Sequence, residues 1–302
     1  VYLCKASGDD TIGKYYKVAD GIKGFNLATD ALDIDGTLAD NLAAVKASGK
    51  NHTGGTPGFQ GNFDGNGATV YGAWTNHKEG NVASYAGLFP CTKGDVTIKN
   101  INVKFASFTA KNAVGGIIGY HVGDGTNTLT IENCSVTESH IEYVGAGEFG
   151  HGIGALIGYS ANLSSWKESD KGVDGNGDGD MADTIYVNGA INIKHCYVNL
   201  DKDHFISSLK IGGENARGCH GGVAGFINTN AMSVSDCVVI GITPYATSAS
   251  TEFNDVQHSG LESHFTNVYT TSDVPVTGVY LGGTLTNRNF TGKVIPLTEE
   301  QL

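Results

Sequence analysis

Arginine is almost missing from this chain, and its charge is thin throughout. Only Arg217 and Arg288 occur in 302 residues, and Asp, Glu, Lys and Arg together make up 17% of them. With a formal net charge of −12 there is no clustered basic surface to neutralise phosphates, which argues against a nucleic-acid partner. No apolar run approaches the ~20 residues that a helical membrane span needs. Five prolines are too few for a Pro-rich linker. No Cys-x-x-Cys or Cys/His spacing suggests zinc, and no Gly-x-Ser-x-Gly, Cys/His nucleophile pair or phosphate-binding loop stands out from the many glycines. No signal peptide opens the chain at Val1, so a mature or excised piece is expected and secretion is inferred.

Glycine is abundant instead, at 44 residues, about twice the usual share. High Gly without Pro or a collagen period points to many tight turns between short strands. A surface of Asn, Thr, Ser and Gly suits an extracellular β-protein better than a cytosolic enzyme.

One stretch recurs. Thr97-Ile98-Lys99-Asn100-Ile101-Asn102-Val103 returns as Thr130–Val136, Asn192–Val198 and Ser233–Val239, and faintly as His264–Tyr269. The template is polar, aliphatic, polar, Asn/Asp/His, Cys/Ile/Val, polar, Val. Its second, fifth and seventh places cannot share one face of a regular strand unless the chain bends at the fourth, and Asn and Asp tolerate such a bend. Taking the fifth place, the intervals from Ile101 to Cys134, Cys196, Cys237 and Val268 are 33, 62, 41 and 31 residues. A coil of about thirty residues with added loops fits a stacked repeat. Such a stack predicts an interior column of Ile101, Cys134, Cys196 and Cys237, and a corner column of Asn100, Asn133, His195 and Asp236. Three of the six cysteines then act as small buried hydrophobes rather than disulfides; Cys4, Cys91 and Cys219 stay unassigned.

Between these strands lie Phe59-Gln60-Gly61-Asn62-Phe63-Asp64-Gly65-Asn66-Gly67-Ala68-Thr69-Val70-Tyr71-Gly72 and glycine-aliphatic segments. The latter are Ala86–Phe89, Gly115–Tyr120, Gly154–Tyr159 and Gly221–Phe226. Asp-Gly-Asn-Gly reads as a turn, with Phe63 and Val70 as inward anchors. Over about residues 59–270 this pattern resembles the GLUG-motif surface proteins of bacteria. The resemblance implies an all-β, right-handed parallel β-helix with long loop insertions, serving as an adhesin, stalk or self-assembling filament subunit at the cell surface. Its partners would be a host or extracellular glycan or protein, or further copies of itself.

Residues 1–58 differ from the rest. Tyr15–Ala19 reads as a strand and Leu38–Lys46 as a short helix, together forming an N-terminal cap over a β body at 59–302. The main insertion, about 160–188, holds Asp174-Gly175-Asn176-Gly177-Asp178-Gly179-Asp180-Met181-Ala182-Asp183. Alternating oxygen side chains followed by Gly suit a calcium loop formed by Asp174, Asn176, Asp178, Asp180 and Asp183. Ile185 falls where a bidentate Glu is expected, so a solvated acidic loop is the alternative. Residues 241–263 read as a loop, Val274–Leu285 as a strand or two and Leu297–Leu302 as a helix start.

Catalytic constellations are weak. Gly150-His151-Gly152 resembles the Gly-His-Gly of polygalacturonases, but that family's Asn-Thr-Asp and Arg-Ile-Lys partners do not occur. Two placed carboxylates, which glycoside hydrolysis requires, cannot be assigned. A lyase base among His195, Arg217 and His220 competes with a structural corner role for His195. Trp74, Tyr71 and Tyr85 near the first coil, and Trp166 at the insertion, are candidate sugar platforms. The leading expectation is a non-catalytic surface protein; the alternative is a carbohydrate-active enzyme or a glycan-binding module.

Overall fold

A computed structural model describes residues 8–28, 32–47, 58–77, 85–123, 126–145, 152–162, 188–200, 204–207, 219–227, 229–240, 262–270 and 290–296. Among them the chain is mostly β, with one α-helix, Leu38–Ala47. Every strand pairing is parallel.

Four sheets form, and the chain visits them in one order. Asn62–Tyr71 lies in a long sheet, Trp74–Asn76 in a second, Tyr85–Ala86 in a third and Phe89–Lys93 in a fourth. The cycle restarts with Val96–Lys104, Ser107–Ala110, Ala113–Gly115 and Ile118–Gly123. It runs again from Leu129–Glu132 through His140–Tyr143 and Gly152–Gly154 to Ile157–Asn162. A fourth pass spans Asn188–Lys194, Phe205–Ser207, Cys219–Gly221 and Ala224–Ile227. Thr229–Ile240, Glu262–Thr270 and Phe290–Pro296 extend the long sheet. The repeat therefore carries four strand regions per pass.

The recurring stretch packs as aligned columns. Ile98, Ile131, Ile193 and Val234 are in register, as are Val103, Val136, Val198 and Val239, and all eight are buried. Between them run Ile101, Cys134, Cys196, Cys237 and Val268, each at most 3% exposed. Stacked strands lie ~4.8 Å apart and each buried aliphatic contributes about 1.5–3 kcal/mol, so slipping the register by one residue is costly.

The bend sits at the fourth place. Asn100, Asn133, His195, Asp236 and Asn267 have φ of 55°, 51°, 53°, 52° and 51°, the left-handed region that Asn and Asp enter most readily among non-Gly residues. One left-handed residue sends two consecutive side chains outward, as with Lys99 and Asn100, and returns Ile101 to the interior. Cysteine suits the next position because its thiol is small and a weak donor. The Sγ atoms of Cys134, Cys196 and Cys237 reach the carbonyls of Glu132, Lys194 and Ser235, two residues back, at 3.3, 3.3 and 3.1 Å.

Asp64-Gly65-Asn66-Gly67 is not a turn between strands. It lies inside the strand Asn62–Tyr71, where pairing with Val96–Lys104 shifts register between Asp64 and Ala68. Asn66 and Gly67 have φ of 53° and 79°, so the positive-φ residues form a bulge at the first-pass counterpart of the Asn corner. Val70 is buried and Phe63 packs against the core from a partly buried position.

The glycine-aliphatic segments turn the chain from the third sheet to the fourth. A Cβ on Gly158 would meet the Val114 nitrogen at 2.5 Å, and one on Gly119 the Pro90 carbonyl at 2.6 Å. Backbone approaches backbone here, and only glycine permits it.

In the N-terminal region, Tyr15–Lys17 and Gly24–Asn26 pair with Asn62–Tyr71 and extend the long sheet by one strand. Leu38 and Val45 bury Phe105, which leaves the corner after Lys104 at φ 56°, and Lys104 Nζ sits 4.6 Å from the Phe105 ring centre.

Candidate functional site

Among the described residues, polar side chains line the bends of the long sheet, where the left-handed residue turns them outward. Asn133 Nδ2 donates to Asn100 Oδ1 at 2.7 Å, and Asn100 Nδ2 donates to Asp64 Oδ1 at 2.9 Å. Farther along, Asn267 Nδ2 donates to Asp236 Oδ1 at 2.9 Å, and His195 Nε2 lies 3.6 Å from Asp236 Oδ2. Burial pushes the Asp64 carboxyl up. Hydrogen bonds from the Asn100 amide, the Asn66 N–H and the Tyr15 hydroxyl, with Lys99 at 3.5 Å, outweigh it and hold the pKa at about 2. These contacts tie neighbouring passes together. His195 and Asp236 are both half-exposed and form a corner contact between neighbouring passes.

Beside this ridge, Thr130, Asn192, Lys194, Ser233 and Ser235 line an open groove of about 280 Å³. Lys194 Nζ is engaged by Glu132 at 3.1 Å. Groove and ridge together offer hydroxyls, amides and matched charges, a surface suited to binding uncharged polar groups.

Three buried thiols and one buried imidazole are held in their neutral forms. Burial pushes the Cys91 thiol up to about 12. Cys196 is pushed up by hydrogen bonding with Cys134 and by burial, and Cys237 by Cys196 and by burial. Thiols held protonated are poor nucleophiles. His121 is completely buried, hydrogen-bonds Thr92 Oγ1 through Nδ1 at 2.9 Å, and has its pKa lowered by burial to about 3. It is neutral at any physiological pH.

Trp74 packs, partly buried, against the Leu38, Val45 and Phe105 cluster, so its ring supports the helix rather than presenting a free platform. Asp174, Asn176, Asp178, Asp180, Asp183, Trp166, His151, Arg217 and Cys4 lie outside the described residues, as do residues 241–261, 271–289 and 297–302. Among the described residues no group of three or more His, Cys, Asp or Glu side chains is arranged to hold a metal ion.

Two aromatic features escape the sequence pattern. Tyr120 stacks on Tyr85 at 4.7 Å and on Tyr159 at 5.5 Å. Tyr120 and Tyr159 share a recurring Gly-Tyr, which was a usable signal; Tyr85 comes from a different sheet, and its stacking on Tyr120 had no counterpart in the pattern. The second feature is Tyr197, Val238 and Tyr269, in register on three successive strands. No family model, curated protein or solved structure matches the chain.

Proposed function

We propose that this chain is an extracellular, non-catalytic scaffold of the GLUG-motif kind, wound as a right-handed parallel β-helix and acting as an adhesin, stalk or filament subunit. The observation that carries the reading is the repeated passage through four parallel sheets in one fixed order, with a left-handed residue at each bend of the long sheet. Right-handed winding follows from the strong preference of parallel crossovers for that hand. Among the described residues the outward side chains at the bends engage one another, which suits a rigid spacer or binding surface. No helix among the described residues is long and apolar enough to cross a membrane.

Open sheet edges favour end-to-end contact. Tyr15–Lys17 and Gly24–Asn26 pair on one side only among the described strands, and so does Phe290–Pro296. Ile12, Tyr15, Ile22 and Phe25 are exposed in and beside the first two of these strands, and unpaired edges template further strands. Calcium, held by Asp174, Asn176, Asp178, Asp180 and Asp183, belongs to the same proposal.

Incubation with a panel of uronates and of plant and host glycans, with calcium present, tests the non-catalytic claim. No product by mass spectrometry is expected, and turnover of any of them overturns it. Electron microscopy and sedimentation of the purified chain separate stalk from filament. Calcium titrated into chelator-treated protein should raise the melting temperature; no shift and no heat of binding removes the metal.

A further inference from the structure

The outer surface of the long sheet beyond the bend carries an aromatic strip that a scaffold alone does not require. Val198 and Val239 are buried, so the alternate residues Tyr197 and Val238 face outward, and Tyr269 continues their column. Tyr197 is 39% exposed, and among the described residues it is the one exposed large hydrophobic outside positions 12–34. Val238 and Tyr269 are half-buried. Asn199 Nδ2 donates to the Tyr197 hydroxyl oxygen at 3.3 Å, which holds the ring along its own strand.

In the other direction the same column turns polar. Ser135 is in register with Tyr197 and with Asn102, and its Oγ donates to Asn102 Oδ1 at 2.7 Å. Among the described residues the nearby charges pair, Lys104 Nζ lying 3.2 Å from Glu138 Oε1. Apolar ring faces thus adjoin amides and hydroxyls on an electrically balanced sheet.

The spacing identifies the occupant. Adjacent strands are ~4.8 Å apart, which places Tyr197 and Tyr269 roughly 9.6 Å apart along the stack. An extended β-1,4-linked sugar chain advances by nearly one strand spacing per ring and turns over at each step, so the same face returns at every second ring. Two tyrosines two strands apart can therefore lie under alternate pyranose rings, with Val238 beneath the ring between them. The C–H faces of the sugar meet the tyrosine rings, and its equatorial hydroxyls reach Asn199, Ser135 and Asn102. The balanced charge selects a neutral chain over a uronate. A strip three residues long is far too small for a stable protein interface, which buries about 800 Å² on each partner.

We propose that Tyr197, Val238 and Tyr269 form a binding strip for a neutral, extended β-1,4-linked polysaccharide lying along the stack. The inference rests on the extracellular reading only for where such a polymer is met. Retention on microcrystalline cellulose and on chitin, with calorimetry on cellohexaose, chitohexaose and mannohexaose, tests it; α-linked maltohexaose is the control. At least one β-1,4-linked probe should bind and maltohexaose should not. Tyr197→Ala and Tyr269→Ala should each weaken binding about tenfold, the scale of one ring-stacking contact, whereas Tyr197→Phe retains it. Tyr197 is exposed, so Tyr197→Ala should melt with the parent. Three results overturn the proposal: no β-1,4-linked probe binds, the double alanine variant binds undiminished, or maltohexaose binds equally well. Each leaves the scaffold reading intact, since that stands or falls on the product assay and microscopy.

Discussion

Replacing Asn133 by alanine and by glycine tests whether the left-handed bends hold the stack in register. Asn133 sits at φ 51°, and its side chain donates one hydrogen bond, to Asn100 Oδ1 at 2.7 Å. Alanine in this conformation costs about 1–2 kcal/mol, and the lost amide bond adds about 0.5–1 kcal/mol at an exposed site. Asn133→Ala should therefore lose about 1.5–3 kcal/mol. Asn133→Gly loses the same hydrogen bond but enters positive φ without strain, so it should be the milder change. Over 302 residues, with an unfolding entropy of ~2.1 cal/mol/K per residue, the alanine variant should melt roughly 2–5 °C lower. Thermal unfolding followed by circular dichroism, with urea titration alongside, measures both variants. A glycine variant less stable than the alanine one, or an alanine variant equal to the parent, would refute the reasoning.

Three further outcomes follow from the packing. His121 has a folded pKa of about 3 against ~6.5 when unfolded, so only the unfolded chain takes up its proton between those values. Its contribution is fully present above pH 6.5 and is lost as pH falls toward 3, amounting to about 2 kcal/mol by pH 5; His121→Gln should flatten the stability curve over that window, and an unchanged slope would count against it. Gly158→Ala places a methyl 2.5 Å from the Val114 nitrogen and 2.6 Å from the Gly119 carbonyl, so soluble expression or melting temperature should fall sharply, more than for alanine at the open Gly67. Cys91, Cys134, Cys196 and Cys237 are buried free thiols; peptide mapping after native alkylation should find all four unlabelled until denaturant is added, and labelling of any one in native buffer contradicts the packing.

Much of the long sheet could be read from the chain because each pass repeats the same local solution. Ile98, Ile101 and Val103 cannot all turn inward without a bend at Asn100, and the copies at Cys134, Cys196 and Cys237 keep that spacing. Asp64-Gly65-Asn66-Gly67 carried the correct backbone preference but the wrong context, because positive φ serves a bulge as well as a turn. The second sheet stayed hidden: Ser107–Ala110 is buried at every residue, so it shows no alternation of polar and apolar side chains.

The helix could be read as a helix, yet its seat over Phe105 could not, and that seat is what occupies Trp74. The tyrosine strip was likewise invisible, since Tyr197 and Tyr269 are separated by 72 residues of chain and become neighbours across one strand only when the passes stack. Local conformational preference and the inside–outside pattern act over a few bonds, so the residues themselves determined the bends, the interior columns and the glycine contacts. Which passes lie side by side, and so which surface groups share a face, depends on how much chain each loop consumes between passes. Loop length is free of side-chain pattern, and only the packed tertiary structure decided it.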